Sequence, residues 1–274
     1  MVSTSSGRVR FDHTAIAVSQ KAPILDLLRE LFGGTIAWDD KRGLEKQGFR
    51  AAQLDLAGTI LEVIEPAGEA SFLHPFLAKR GPGLHHLTFK VHELDRLFTD
   101  LETRGVGLTG IERDTHGRVV NGFTRPTGCF GVLVQFRPGE AWLKDALQHH
   151  PSREGLPPPL PARARLRATE IAVPDGPAAL GFFQTMLSGE IGELTGQDGR
   201  FRQALSVGGT NLDFLWPAEP GAALHAIDLD VIAWSETLAA ARRLGLPVRE
   251  GDAHASIGPD NPTGARYSLR RVLN

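Results

Sequence analysis

The sequence predicts an α+β fold built from four tandem copies of a βαβββ unit, arranged as two modules with curved mixed sheets. Three observations predict it. Strand-like and helix-like stretches alternate in the same order four times. Chemistry-bearing residues recur at one spacing: Glu62 follows His13, and Gln135 follows His86, by the same interval (62 − 13 = 135 − 86 = 49). A proline-rich stretch, PSREGLPPPLPARAR at 151–165, divides the 274-residue chain into two parts of ordinary domain size.

The elements follow in order. FDHTAIAV (11–18) reads as a strand, and PILDLLRELFGG (23–34) as an amphipathic helix stopped by glycines. FRAAQLDLAGTILEVIEP (49–66) reads as two strands joined at Ala57-Gly58 and ended by Pro66. The order then returns with the strand GLHHLTFKV (83–91) and the helix HELDRLFTDLETRGV (92–106), which ends at Arg104-Gly105. RVVNGFTRP (118–126) and FGVLVQF (130–136) complete the second copy. In the second half, residues 167–189 answer the first strand and helix, GTNLDFLWP (209–217) answers GTILEVIEP, and HAIDLDV (225–231) answers HHLTFKV. NPTGARYSLRRV (261–272) answers RPTGCFGVLVQF. The expected boundaries are a first module at 8–138, a helix and proline-rich linker at 139–163, and a second module at 164–274.

Composition bounds the function. Hydrophobic residues make up 41% and charged residues 23%, as in a globular protein with a full core. A net charge of −2 gives no basic footprint for nucleic acid or an anionic membrane. One cysteine, Cys129, leaves no intramolecular disulfide and no cysteine-rich zinc site. The N-terminus has no apolar signal region and no run approaches a membrane span, so a cytoplasmic location is expected. The expected partner is a small-molecule substrate, with a homodimer left open.

His13, Glu62, His86 and Gln135 fall at matching places in the first two copies, so two facing copies bring them towards one centre. Imidazole nitrogens with a carboxylate and an amide oxygen suit a divalent Zn, Fe, Co, Ni or Mn ion. His85, beside His86 on a strand, points to the other face and reads as structural. Aligning the halves places Ala168, Asp213, Ala226 and Arg271 at the four positions, so the second module is expected to hold no metal. Loss of both histidines there also argues that packing alone does not require them.

FDHTAIAV, LEVIEPAGEASFLHPFLAKRGPGLHHLTFKV and RPTGCFGVLVQF resemble the vicinal oxygen chelate superfamily of glyoxalases, extradiol dioxygenases and fosfomycin or bleomycin resistance proteins. Residues 10–137 are most similar to the methylmalonyl-CoA epimerases. The resemblance implies that His13, Glu62, His86 and Gln135 are metal ligands, and that Glu45 and Glu62 are catalytic carboxylates. His116 and Arg125 become candidate substrate contacts. Gln135 departs from the epimerase pattern, which has a carboxylate there; an amide takes no proton at neutral pH. The implied activity is metal-dependent Lewis-acid stabilisation of an enolate-like intermediate on an α-substituted carbonyl, carboxyl or acyl-thioester compound, as an isomerase, epimerase or glyoxalase-like lyase. Two alternatives stay open: a metal-free binding or resistance protein, and an Fe(II)-dependent ring-cleaving dioxygenase.

Overall fold

The computed structural model describes residues 9–40, 48–139, 155–219 and 223–272. The fold is α+β, with the βαβββ pattern repeated through two modules. Strands β1 (Val9–Ala17), β2 (Thr35–Asp39), β3 (Phe49–Leu56), β4 (Thr59–Pro66), β5 (Gly83–Val91), β6 (Leu108–Arg113), β7 (Val119–Thr124) and β8 (Val134–Pro138) form one sheet. Its order is β2-β3-β4-β1-β5-β8-β7-β6. Strands β9 (Ala164–Ala172), β10 (Glu190–Gln197), β11 (Arg200–Val207), β12 (Thr210–Trp216), β13 (Ala223–Val231), β14 (Val248–Glu250), β15 (His254–Ile257) and β16 (Arg266–Arg271) form a second sheet of the same topology. In each sheet the first strand of a copy runs parallel to the last, as β1 does to β4, so a helical crossover must join them.

Those crossovers carry the helices α1 (Lys21–Phe32), α3 (Leu94–Thr103), α4 (Gly176–Leu187) and α5 (Trp234–Arg243); α2 (Leu73–Arg80) joins β4 to β5. Helix α1 shows why the pattern works. Its buried Ile24, Leu25, Leu28, Leu31 and Phe32 recur at helical spacing, and Gly33 ends it at a positive φ of 71°.

The chain forms two compact units from alternating segments. One takes its residues from 13–85, 151–167 and 226–274. In it, Phe32 meets the fully buried Tyr267 at 5.5 Å between ring centroids. Gly264, at φ +63°, lies so close to Pro82 that a Cβ would fall 1.8 Å from its carbonyl oxygen. The other unit takes its residues from 1–12, 86–150 and 168–225. Its core joins Leu87, Phe89, Phe98 and Phe136 to Ile171, Phe183 and Phe214. Each such buried side chain is worth about 1.5–3 kcal/mol relative to exposure.

Charges bridge β9, β13 and β16 within the first unit. Asp230 accepts from Arg165 (Nη2, 3.0 Å) and from Arg270 (Nη2, 2.7 Å), while Arg167 Nε donates to Asp228 at 3.0 Å. Burial alone would raise the Asp230 carboxyl. The hydrogen bonds from Arg270 and Arg165, with their charge, outweigh it and hold the group below its ordinary value of 3.8.

Two consequences are measurable. Gly264→Ala forces a strained φ and a backbone clash, so it lowers stability by at least about 2 kcal/mol in urea unfolding. A carboxyl depressed on folding gives stability that is complete above its unfolded value and is lost as pH falls through its folded value. Urea midpoints measured downward from pH 5 are therefore expected to fall less steeply in Asp230→Asn than in the parent.

Candidate metal centre

The site is fixed by register. Parallel pairing of β1 with β4 sets His13 opposite Ile60 and Ala15 opposite Glu62. Antiparallel pairing of β3 with β4 sets Gln53 opposite Glu62. Residues opposite one another, or two apart on a strand, share a face, so His13, Glu62 and Gln53 share theirs. His13 Nε2 stands 3.2 Å from Glu62 Oε2, and Gln53 Nε2 donates to Glu62 Oε1 at 3.1 Å. The carboxylate therefore has a partner on each oxygen.

His86 follows along β5. His13, Glu62 and His86 are 1%, 7% and 5% exposed, and one ligand atom from each lies within 4.8 Å of the others. Donors bonded to one ion at about 2.1 Å stand about 3 to 3.5 Å apart, a separation the His13–Glu62 pair already has. Two imidazoles and one carboxylate, buried together, fit a borderline divalent ion. An edge-on contact with Phe123, 5.9 Å between centroids, fixes the His86 ring.

Gln135 lies opposite Thr88, two residues beyond His86. The Thr88 hydroxyl donates to Gln135 Oε1 at 2.8 Å, and Gln135 Nε2 donates to Asn121 Oδ1 at 2.8 Å. These contacts orient the amide. Gln53, Thr88 and Asn121 were not singled out from the sequence. Thr88 had a signal, since i and i+2 share a strand face; Gln53 and Asn121 emerge only from cross-strand register.

His85 packs edge-on to Phe76 (4.8 Å) and tilted to Phe72 (6.0 Å). Burial pushes its imidazole down to about 4 against the opposing pull of the Glu62 charge, so it is neutral at pH 7. Glu45, His149 and His150 lie outside the described residues. His116 is exposed in a turn, with its backbone N–H donating to Asp114 Oδ1 at 2.9 Å. Arg125 is exposed, and its Nε donates to the Leu108 carbonyl at 3.1 Å. Arg50 Nη1 stands 3.7 Å from Glu65 Oε1.

One alignment from the sequence is corrected. Pairing of β13 with β16 sets Asp228 opposite Ser268, as Thr88 stands opposite Gln135. Asp228 follows Ala226 by two, as Thr88 follows His86. The counterpart of Gln135 is therefore Ser268 rather than Arg271, which is exposed. The Pro-Thr-Gly stretch that guided the alignment begins nine residues before Gln135, at Pro126, but six before Ser268, at Pro262, and that shifts the match. A guanidinium does neutralise the second module's acid, from another strand. Arg202 on β11 binds Asp213, the counterpart of Glu62, with Nε at 3.1 Å, and meets Glu170 at 3.2 Å.

Comparison with known proteins agrees with this frame. The profile of the glyoxalase/bleomycin resistance protein/dioxygenase superfamily matches residues 12–121. Mitochondrial methylmalonyl-CoA epimerase of Mus musculus is 27% identical over 129 residues, covering 46% of this chain and 71% of that protein. The uncharacterized protein YqjC of Bacillus subtilis (strain 168) is 31% identical over 130 residues, covering 46% of this chain and 89% of that protein. A hypothetical protein from Staphylococcus aureus shares the fold over 96% of this chain and 100% of its own, with a TM-score of 0.56 at 9% identity. The chain belongs to the glyoxalase/bleomycin resistance protein/dioxygenase superfamily.

Proposed function

We propose that the chain is a metal-dependent isomerase or epimerase acting on an acyl thioester, with methylmalonyl-CoA as the first compound to test. The buried His13–Glu62–His86 triad carries this reading. The likeness to a methylmalonyl-CoA epimerase supplies the substrate class. The metal module is residues 8–138; residues 164–274 form the module without metal ligands, and 139–163 join them. The lone cysteine, Cys129, is buried and fits a reducing, cytoplasmic setting.

His13, Glu62 and His86 hold the ion, with Gln135 Oε1 as the fourth donor. When bound, a divalent ion supplies Lewis acidity that lowers the cost of negative charge on a chelated carbonyl oxygen. Gln53 holds Oε1 of Glu62, and Thr88 with Asn121 sets the Gln135 amide. Removing an α-proton on one face and returning it on the other needs two acid/base groups. Gln135 cannot be one of them, because its amide does not titrate. Glu45 and Glu62 are the two carboxylates this reading assigns. His116 and Arg125, exposed on either side of β7, are its substrate contacts.

Elemental analysis of untagged protein is expected to show close to one equivalent of a divalent metal, and none in His13→Ala/His86→Ala. In D2O, NMR of methylmalonyl-CoA is expected to lose its α-proton signal at a rate at least about 100-fold lower in Glu62→Gln. A parent that takes up no metal from Mn, Co, Ni, Zn or anaerobic Fe(II), and exchanges no α-proton, would overturn the reading. Gln135→Glu adds a titratable oxygen, and is expected to raise stereochemical inversion relative to proton exchange.

A further inference from the structure

The second sheet carries a charged face whose arrangement the metal chemistry does not use. All of its residues belong to the unit formed from 13–85, 151–167 and 226–274. Its centre is Asp230 on β13, whose side chain is only 5% exposed. Arg165 on β9 gives Nε (3.2 Å) and Nη2 (3.0 Å) to one carboxylate oxygen. Arg270 on β16 gives Nε (3.0 Å) and Nη2 (2.7 Å) to the other. Each guanidinium thus turns one edge to the same carboxylate. Their side chains keep 56% and 48% of their surface in solvent.

One arginine neutralises one aspartate, so the second is charge in excess. Nor is the excess local to this trio. Asp228, two residues earlier on β13, is matched by Arg167. Register adds two more cations to the same face. Arg266 stands opposite Ala226, and Arg249 stands opposite Ser256, which itself faces Ser268. Within this unit, five arginines therefore share this face with two aspartates. Such a concentration of like charge costs stability through self-repulsion unless something offsets it.

We propose that this face binds a small oxyanion, the phosphate or carboxylate group of a metabolite, between Arg165 and Arg270. Asp230 acts as the positioning residue: it spends the Nε edges of both guanidiniums and holds their outer N–H groups in fixed directions. A pair of planar forks held this way matches a tetrahedral or planar oxyanion with two charge-assisted hydrogen bonds from each side. A lone surface arginine must lose rotamer freedom to do the same; here the carboxylate has already fixed it. The site is independent of the metal centre and goes beyond the activity proposed above.

Isothermal titration calorimetry of the full chain with inorganic phosphate, pyrophosphate and malonate tests this. Binding of a phosphate species or of malonate is expected, and the tighter of the two identifies the group recognised. Arg165→Gln/Asp230→Asn/Arg270→Gln removes both forks without leaving a buried charge alone. Its affinity is expected to fall at least about tenfold, the loss of one good charge-assisted pair. Metal content is expected to stay unchanged in this variant. Arg270→Lys keeps the charge but loses the fork, and is expected to bind severalfold more weakly than the parent, a reading that stands even if the triple variant fails to fold. No binding of any of the three anions would overturn the proposal. So would parental affinity in the folded triple variant, which would place the anion at the metal centre or elsewhere.

Discussion

A carboxylate taken out of water must be met by partners on both oxygens, and much of this structure follows from that constraint. Glu62 is 7% exposed, so β1 must bring His13 to one oxygen and β3 must bring Gln53 to the other. A one-residue slip in either pairing would turn one of these partners to the opposite face of the sheet. In the second module the corresponding carboxylate is Asp213, which is 1% exposed. There the histidine positions hold alanine, and Arg202 reaches across from β11 to supply the positive charge. One position in one fold is thus balanced by imidazole in one module and by a guanidinium in the other. The guanidinium carries its charge permanently and presents no lone pair to a metal ion.

The elements legible in the sequence were those that bury enough side chains to leave a pattern. Helices α1 and α3 carry a buried face of helical period, and β1, β4 and β5 carry runs of consecutive buried residues. Edge strands do not. All eight residues of β10 are exposed, and β6 buries none of its six, so neither shows a period-2 signal. Helix α2 buries only Leu73, too little to mark a helix face. In each case the missing signal is missing burial.

The centre itself was legible for a related reason. His13, Glu62 and His86 stand out because, with Gln135, they fall at matching places in the first two copies. What surrounds them was not legible. Gln53 and Asn121 are ordinary polar residues until cross-strand register places them, and Thr88 gains its meaning only from the Gln135 amide it orients. The misplacement of Arg271 has the same origin: the two hairpins are equally long between paired residues, but the Pro-Thr-Gly stretch sits three residues further along the second, and sequence similarity there does not report register.

Gln135 sharpens the electrostatics of the proposed chemistry. A set of two neutral imidazoles and one carboxylate carries a single negative charge, and the Gln135 amide adds none. A dication held there would be left with one positive charge uncompensated in a buried place. A carboxylate in the fourth position would cancel that charge; an amide passes it on to whatever chelates next. The substitution therefore trades an acid/base group for stronger attraction to an anionic oxygen. A substrate that develops negative charge as its α-proton leaves would gain most from that trade, since the attraction grows along the reaction rather than being spent on binding.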